Sequence, residues 1–216
     1  MEPVQLAVAL TPLAIYLLRL GMLNLFRWPV VKSGARNIAL LGFALSGFVI
    51  VGPMALFLPN PAAIVFGPWV WALLLIFYAL CITLCILLAR PRLVIYNATI
   101  GLVQPVLAEV ATRLDSEVRW AGDSVVLPQA NVQLHLEPYP PMRNVSLVAI
   151  GERQSYTGWQ RLERELRAAL RTTEVPRNPR GFTFLAIGLL MASWPLYLTV
   201  RDGDAVAQAL KQMLRM

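Results

Sequence analysis

This chain is short of charge. Only 14% of its 216 residues are charged, while 57% are apolar. Soluble domains hold about 25% charged and about 45–50% apolar residues. One soluble core could not hide that much apolar surface, which points to a bilayer and away from an ordinary water-soluble protein. Histidine is nearly absent, with His135 standing alone. It falls between Gln133 and Glu137 on the outward side of an alternating stretch, without the partner and pocket that a general base needs. Cysteine is scarce too. Cys81 and Cys85 lie in one apolar run, four residues apart and so on one helix face. Without His or carboxylate neighbours they make a poor closed metal site, and their spacing is not that of a C-x-x-C redox pair. They read as small apolar residues facing lipid or a neighbouring helix.

Chemical motifs are missing as well. There is no G-x-x-x-x-G-K-[ST] loop and no G-x-G-x-x-G turn. Ser146 and Ser155 have no nucleophile-elbow context. Glu109, Asp115, Glu117 and Asp123 do not fall at the spacing of a metal-binding loop. No catalytic group, cofactor or metal is expected, and the chain reads as non-enzymatic. Asn97-Ala98-Thr99 and Asn144-Val145-Ser146 match the glycosylation sequon and are read as chance matches in a cytoplasmic segment.

The charges that are present are unevenly placed: six in 1–90, twenty in 91–180 and five in 181–216. The middle is therefore water-facing and the flanks lipid-facing. Four stretches pass the length test of about 20 apolar residues for a transmembrane helix: about 4–26, 38–58, 65–89 and 182–200. The first lacks the basic start and the cleavage site of a secretory signal. Its Arg19 reads as an anchor that snorkels to the headgroups. Pro195 is expected to kink or shorten the fourth. Trp28, Trp69 and Trp194 lie near span ends, as interfacial aromatics do. Gly42 and Ser46 have the small-xxx-small spacing that permits close helix approach.

Arginine sets the orientation. The loop Arg27–Arg36, the exit at Arg90 and Arg92, and the approach Arg171–Arg180 all fall on one side if every stretch spans, and that side is expected to be cytoplasmic. No Asp, Glu, Lys or His sits in mid-span, where proton relays and ion paths usually show themselves.

The water-side segment opens with the strand "RLVIYN", about three residues after the third span. In "TIGLVQPVLAEVATRL" the residues Val103, Val106, Leu107, Val110, Ala111 and Leu114 make one apolar helix face. That helix starts either at a Thr99 cap, with Pro105 inside, or near Gln104. "SEVRWAGDSVVLP" reads as a hairpin turning at Gly122-Asp123. "NVQLHLEPYP" alternates, with Val132, Leu134 and Leu136 inward, and "NVSLVAI" is a further strand. A second helix, "TGWQRLERELRAALR", carries a capping box at Thr157 and Gln160 and a buried stripe of Trp159, Leu162, Leu166 and Leu170. Arg161–Glu165 and Glu163–Arg167 are expected as i, i+4 pairs.

The expected fold is thus an integral membrane α-helical protein of about four transmembrane helices with an inserted small α+β sandwich, ferredoxin-like in outline. Residues 1–90 hold three spans, 91–175 the cytoplasmic domain, and 176–216 the fourth span and a short amphipathic tail. The protein is placed in the plasma or inner membrane as a multi-pass chain with both termini outside.

One constellation stands out. Arg161, Arg164, Arg167 and Arg171 cluster opposite the buried stripe, forming a basic ridge suited to anionic headgroups or an acidic subunit. Nucleic acid is not expected, since the ridge has no interleaved aromatics. The expected partners are the lipid bilayer, other membrane subunits and further copies of the chain. The expected role is an interaction, assembly or sensing module; the alternative is a homo-oligomeric channel or transporter component.

Overall fold

The structure, a computed structural model, describes residues 3–54, 69–152 and 154–201. Its helices are α1 (Pro3–Leu25), α2 (Gly34–Val49, extended by a π-helical turn over Ile50–Met54), α3 (Trp69–Leu88), α4 (Ile100–Leu114), α5 (Tyr156–Arg171) and α6 (Arg180–Arg201). Its strands are β1 (Val30–Ser33), β2 (Arg92–Tyr96), β3 (Arg119–Ala121), β4 (Ser124–Leu127), β5 (Val132–Tyr139) and β6 (Asn144–Ala149). The chain divides into two compact units. One comprises Met1–Leu20, Ile38–Leu87 and Thr183–Met216; the other comprises Gly21–Asn37 and Leu88–Phe182.

The second unit is an α+β layer. Its six strands form one antiparallel sheet in the order β1-β2-β6-β5-β4-β3. Strands β3 to β6 make a meander, and β2 adds beside β6 with Leu93 opposite Leu147. A ferredoxin-like domain is built from two β-α-β units. Here, among the described residues, the last strand of the meander is followed by a helix and no further strand, so the ferredoxin-like outline does not hold, while the α+β layer does. The stretch 27–36, expected to be a loop, supplies β1, whose Val31 pairs with Ile95. Its alternation was too short to register as a strand, and only β2 gives it a ladder.

The core lies between the sheet and α4 and α5, on one face of the sheet. Val132, Leu134 and Leu136 of β5 are all buried, as their alternation requires. They meet Val103, Leu107 and Val110 of α4 and Leu162, Leu166 and Leu170 of α5. Trp159 is buried beside them, and its indole N–H donates to Gln154 Oε1 at 2.8 Å. Helix α4 starts at Ile100. Thr99 flanks it without a side-chain cap, and Pro105 lies inside. The cap of α5 is Ser155, whose Oγ accepts from the Gly158 N–H at 3.2 Å. The expected Thr157–Gln160 box fails because the helix begins one residue before Thr157, which places that side chain inside the first turn. Asp115 is buried at the end of α4 and holds the next turn. Its carboxylate accepts from the backbone N–H groups of Glu117 at 2.9 Å, Gln129 at 2.7 Å and Ala130 at 3.4 Å.

The first unit is helical. Among the described residues two helices are long and apolar enough to cross a membrane, Gln5–Leu25 and Gly34–Gly52. The other two expected spans do not qualify. Helix α3 runs over 20 residues, Trp69–Leu88, but only Ala72–Leu88 counts as an apolar stretch among the described residues, since the side chains of residues 70 and 71 lie outside them, as do residues 65–68. Helix α6, Arg180–Arg201, is not among the two candidate spans, and the side chains of residues 198–200 lie outside the described residues. Residues 55–58 of the second expected span also lie outside the described residues, as does the expected C-terminal tail beyond Arg201.

Helices α1 and α2 approach closely at Gly47, where a Cβ would fall 2.2 Å from the Val8 carbonyl oxygen. Gly42 packs on Ile82 of α3, and Tyr78 Oη donates to the Gly42 carbonyl at 2.7 Å. The small residues of α2 thus serve packing within the chain. The hydroxyls of Thr11, Ser46, Thr83 and Ser193 each donate to a carbonyl of their own helix, three or four residues back. Such back-bonding satisfies a hydroxyl in a medium without water.

Candidate functional site

The four ridge arginines are all exposed on α5, opposite its buried stripe, as the 100° periodicity requires. They do not converge. Arg161 lines a polar cavity of about 420 Å³ at the start of the helix, with Asn131, Ser155 and Thr157. Arg167 leans the other way. It pairs with Glu163, and its Nη2 reaches the Val31 carbonyl of β1 at 3.5 Å. Of the two expected ion pairs on this helix, Glu163–Arg167 forms. Arg161–Glu165 is not among the ion pairs of the described residues, because Arg161 turns toward the cavity. Arg164 and Arg171 remain as an exposed pair. Seven residues apart, their backbones are separated by about 10 Å along the axis, so a flat anionic surface suits them better than one small anion.

The outer face of the sheet carries polar side chains. Arg92 Nη2 donates to Ser146 Oγ at 2.7 Å, and Ser124 Oγ lies 3.0 Å from His135 Nδ1. Ser124 and His135 are direct partners across β4 and β5, and such adjacency needs no catalytic explanation. No carboxylate hydrogen-bonds to that ring among the described residues, so the third member of a nucleophilic triad is absent there. Among the described residues no three His, Cys, Asp or Glu side chains gather as a metal site.

A further polar construction in this unit has no motif in the sequence. Asn24 near the end of α1, Asn97 after β2 and Asn178 before α6 are all buried. Asn178 Nδ2 donates to Asn24 Oδ1 at 3.0 Å and to the Met142 carbonyl at 3.1 Å, while its Oδ1 accepts from the Arg180 N–H at 3.2 Å. Asn97 Nδ2 donates to the Phe26 carbonyl at 2.8 Å. The backbone joins in: Asn178 N–H donates to the Asn24 carbonyl at 3.0 Å and Val175 N–H to the Arg27 carbonyl at 2.7 Å. Two short segments, 24–27 and 175–178, are thereby laced side by side. Gly181 completes the contact, since a Cβ there would fall 2.9 Å from the Gly21 carbonyl oxygen.

This clasp joins the end of α1 to the approach of α6. Through Met142 and through the Ala98 N–H, which donates to the Arg143 carbonyl at 2.6 Å, it also reaches the turn between β5 and β6. Asn97 and Arg143 both adopt left-handed backbone, with φ of 55° and 51°. Asn tolerates that region; Arg does so less readily. Burial also removes Asn97 as a glycosylation acceptor, whatever side of a membrane it faces. The sequence holds no local pattern for them: Asn97 and Asn178 flank elements, where Asn can replace a missing backbone partner, but Asn24 lies inside the last turn of α1.

No protein-family model matches this chain, and neither a curated protein nor a solved structure matches it significantly.

Proposed function

We propose that this chain is a non-enzymatic integral membrane protein whose α+β unit acts as an interaction, assembly or sensing module, as a subunit of a larger membrane complex. The observation that carries the reading is that the sheet unit itself takes in the end of α1, the strand β1 and the approach of α6. β1 enters the sheet from between α1 and α2, and the asparagine clasp holds the end of α1 against the approach of α6. A domain that only performs chemistry in solution needs no such lacing, and a flexible linker would serve it.

The membrane reading is supported by the low internal burial of the two candidate spans, 17% and 22% of their apolar windows. A core helix of a soluble protein hides most of such a window. In the full proposal α3 and α6 also span, residues 91–175 face the cytoplasm, and both termini lie outside, in a plasma or inner membrane. The arginine asymmetry supports that orientation. The ridge residues Arg161, Arg164, Arg167 and Arg171 meet anionic headgroups or an acidic subunit.

A second reading, a homo-oligomeric channel or transporter component, is favoured by α3. Leu73, Ile76, Phe77, Leu80, Leu84 and Leu87 are all exposed on it, a surface that a further copy would cover in a ring. The deciding experiment is purification from the native membrane in mild detergent. Stoichiometric foreign subunits support the assembly reading. A lone homo-oligomer that passes ions in liposomes replaces it with the channel. Orientation is tested at Asp123, which is exposed in the β3–β4 turn. Asp123→Cys is introduced into a chain carrying Cys81→Ala and Cys85→Ala, since both native thiols are free and exposed. Labelling by an impermeant reagent in intact cells would reverse the topology.

A further inference from the structure

We propose that Arg27 and Arg177 form a binding site for the phosphate of an anionic membrane lipid. The inference rests on the reading of α1 as a membrane span. The two side chains line one surface cavity of about 480 Å³, together with Glu174, Val175 and Pro176. They are brought together by the laced segments 24–27 and 175–178, through the Val175–Arg27 and Asn178–Asn24 backbone bonds. A third guanidinium stands behind them, since Arg143 Nη1 donates to the Pro176 carbonyl at 3.3 Å. Among the described residues neither Arg27 nor Arg177 has an ion-pair partner.

Depth identifies the ligand. The apolar window of α1 ends at Leu25, so Arg27 stands two residues beyond it, at the level where hydrocarbon gives way to headgroups. Phe26 and Trp28 stack with centroids 5.2 Å apart, and Trp28 is half-exposed. Tryptophan concentrates at that level because its ring is apolar and its N–H is polar. An arginine fork matches phosphate geometry in two parallel hydrogen bonds, and two forks on one cavity fit a phosphate carrying net charge. Of the ridge on α5, Arg161 lines a separate cavity at the start of the helix. Glu174 lines the same cavity and opposes an anion there, which gives the site a charge change of known sign to test.

The full chain is reconstituted into nanodiscs of phosphatidylcholine with or without phosphatidylglycerol, released, and weighed by native mass spectrometry with its retained lipids. Wild type retains phosphatidylglycerol. Arg27→Gln/Arg177→Gln holds it about twenty-five-fold less tightly, about fivefold for each arginine. Glu174→Gln holds it more tightly, an outcome that loss of folding cannot imitate. Arg164→Gln/Arg171→Gln leaves retention unchanged. Equal retention by wild type and the Arg27/Arg177 double variant overturns the proposal, as does a Glu174→Gln variant that binds no better than wild type. Inorganic phosphate that raises the melting temperature as much as phosphatidylglycerol does would make this a free-phosphate site and overturn the lipid assignment. Alkaline carbonate extraction of native membranes is run in parallel. Release of the chain by carbonate sinks the membrane reading itself, whereas a retained chain without lipid selectivity sinks only this site.

Discussion

Asn24 and Asn178 stand 154 positions apart in sequence and meet side chain to side chain at 3.0 Å, both buried. They mark where a helix at the start of the chain is joined to one near its end. Buried amides gain little from a hydrogen bond itself, but leaving a partner unsatisfied in an apolar surrounding costs about 1–3 kcal/mol. Asn178→Ala removes the donor to Met142 and the acceptor for Arg180 at once. It is expected to lower stability by about 2–4 kcal/mol, read as a fall in the melting temperature of the detergent-solubilised chain. A change no larger than that of the exposed Arg164→Gln would mean that the clasp is incidental.

The core and the outer sheet face should respond differently. Leu166 is completely buried between α5 and the sheet, and Leu166→Ala should cost about 2–5 kcal/mol. His135 is only half-buried and shares one hydrogen bond with Ser124. His135→Ala should cost about 0.5–1.5 kcal/mol, more than the alternation alone suggests for an outward residue. Chemical denaturation of both variants compares them directly. Equal losses would contradict the facing assigned to β5.

Two glycines of α2 separate close backbone approach from ordinary packing. A Cβ at Gly47 would press on the Val8 and Ala9 carbonyls, at 2.2 and 2.7 Å, while at Gly42 it would meet only the Ile82 side chain, at 2.8 Å and beyond. Backbone cannot step aside as a side chain can. Gly47→Ala is therefore expected to cost about 1–3 kcal/mol and Gly42→Ala distinctly less. Thermal stability in detergent checks the order, and a reversed order would refute the α1–α2 contact.

The ridge predicts altered association with an unaltered fold. Arg164 and Arg171 are exposed and lie outside the ion pairs of the described residues, so Arg164→Gln/Arg171→Gln should change stability by no more than about 0.5 kcal/mol. Binding of the full chain, held in neutral nanodiscs, to anionic liposomes or to a co-purified acidic subunit should weaken in the variant and with added salt. Identical binding at low salt would leave the ridge as a solvated helix face.

The periodic parts of the fold were legible from residues alone. The stripe Trp159, Leu162, Leu166 and Leu170 and the alternation Val132, Leu134 and Leu136 each report a buried side, because burial repeats at 3.6 or 2 residues whatever the element packs against. Five of the six strands and both helices of the sheet unit follow from such patterns, as do the apolar helices that precede it. Composition likewise set an apolar part apart from a charged one.

Tertiary structure decided what has no period. β1 is four residues long and exists as a strand because β2 offers it hydrogen bonds. The strand order β1-β2-β6-β5-β4-β3 depends on which edges meet, and amphipathic faces are the same for several orders. Four arginines on one helix face were visible at once, but Arg161 turns to a cavity and Arg167 to β1, since neighbours set a long side chain's direction. The asparagine clasp and the Arg27–Arg177 pair join residues about 150 positions apart in the chain. Single polar residues at helix ends carry no local pattern, and only folding, which removes their water and brings them together, makes them partners.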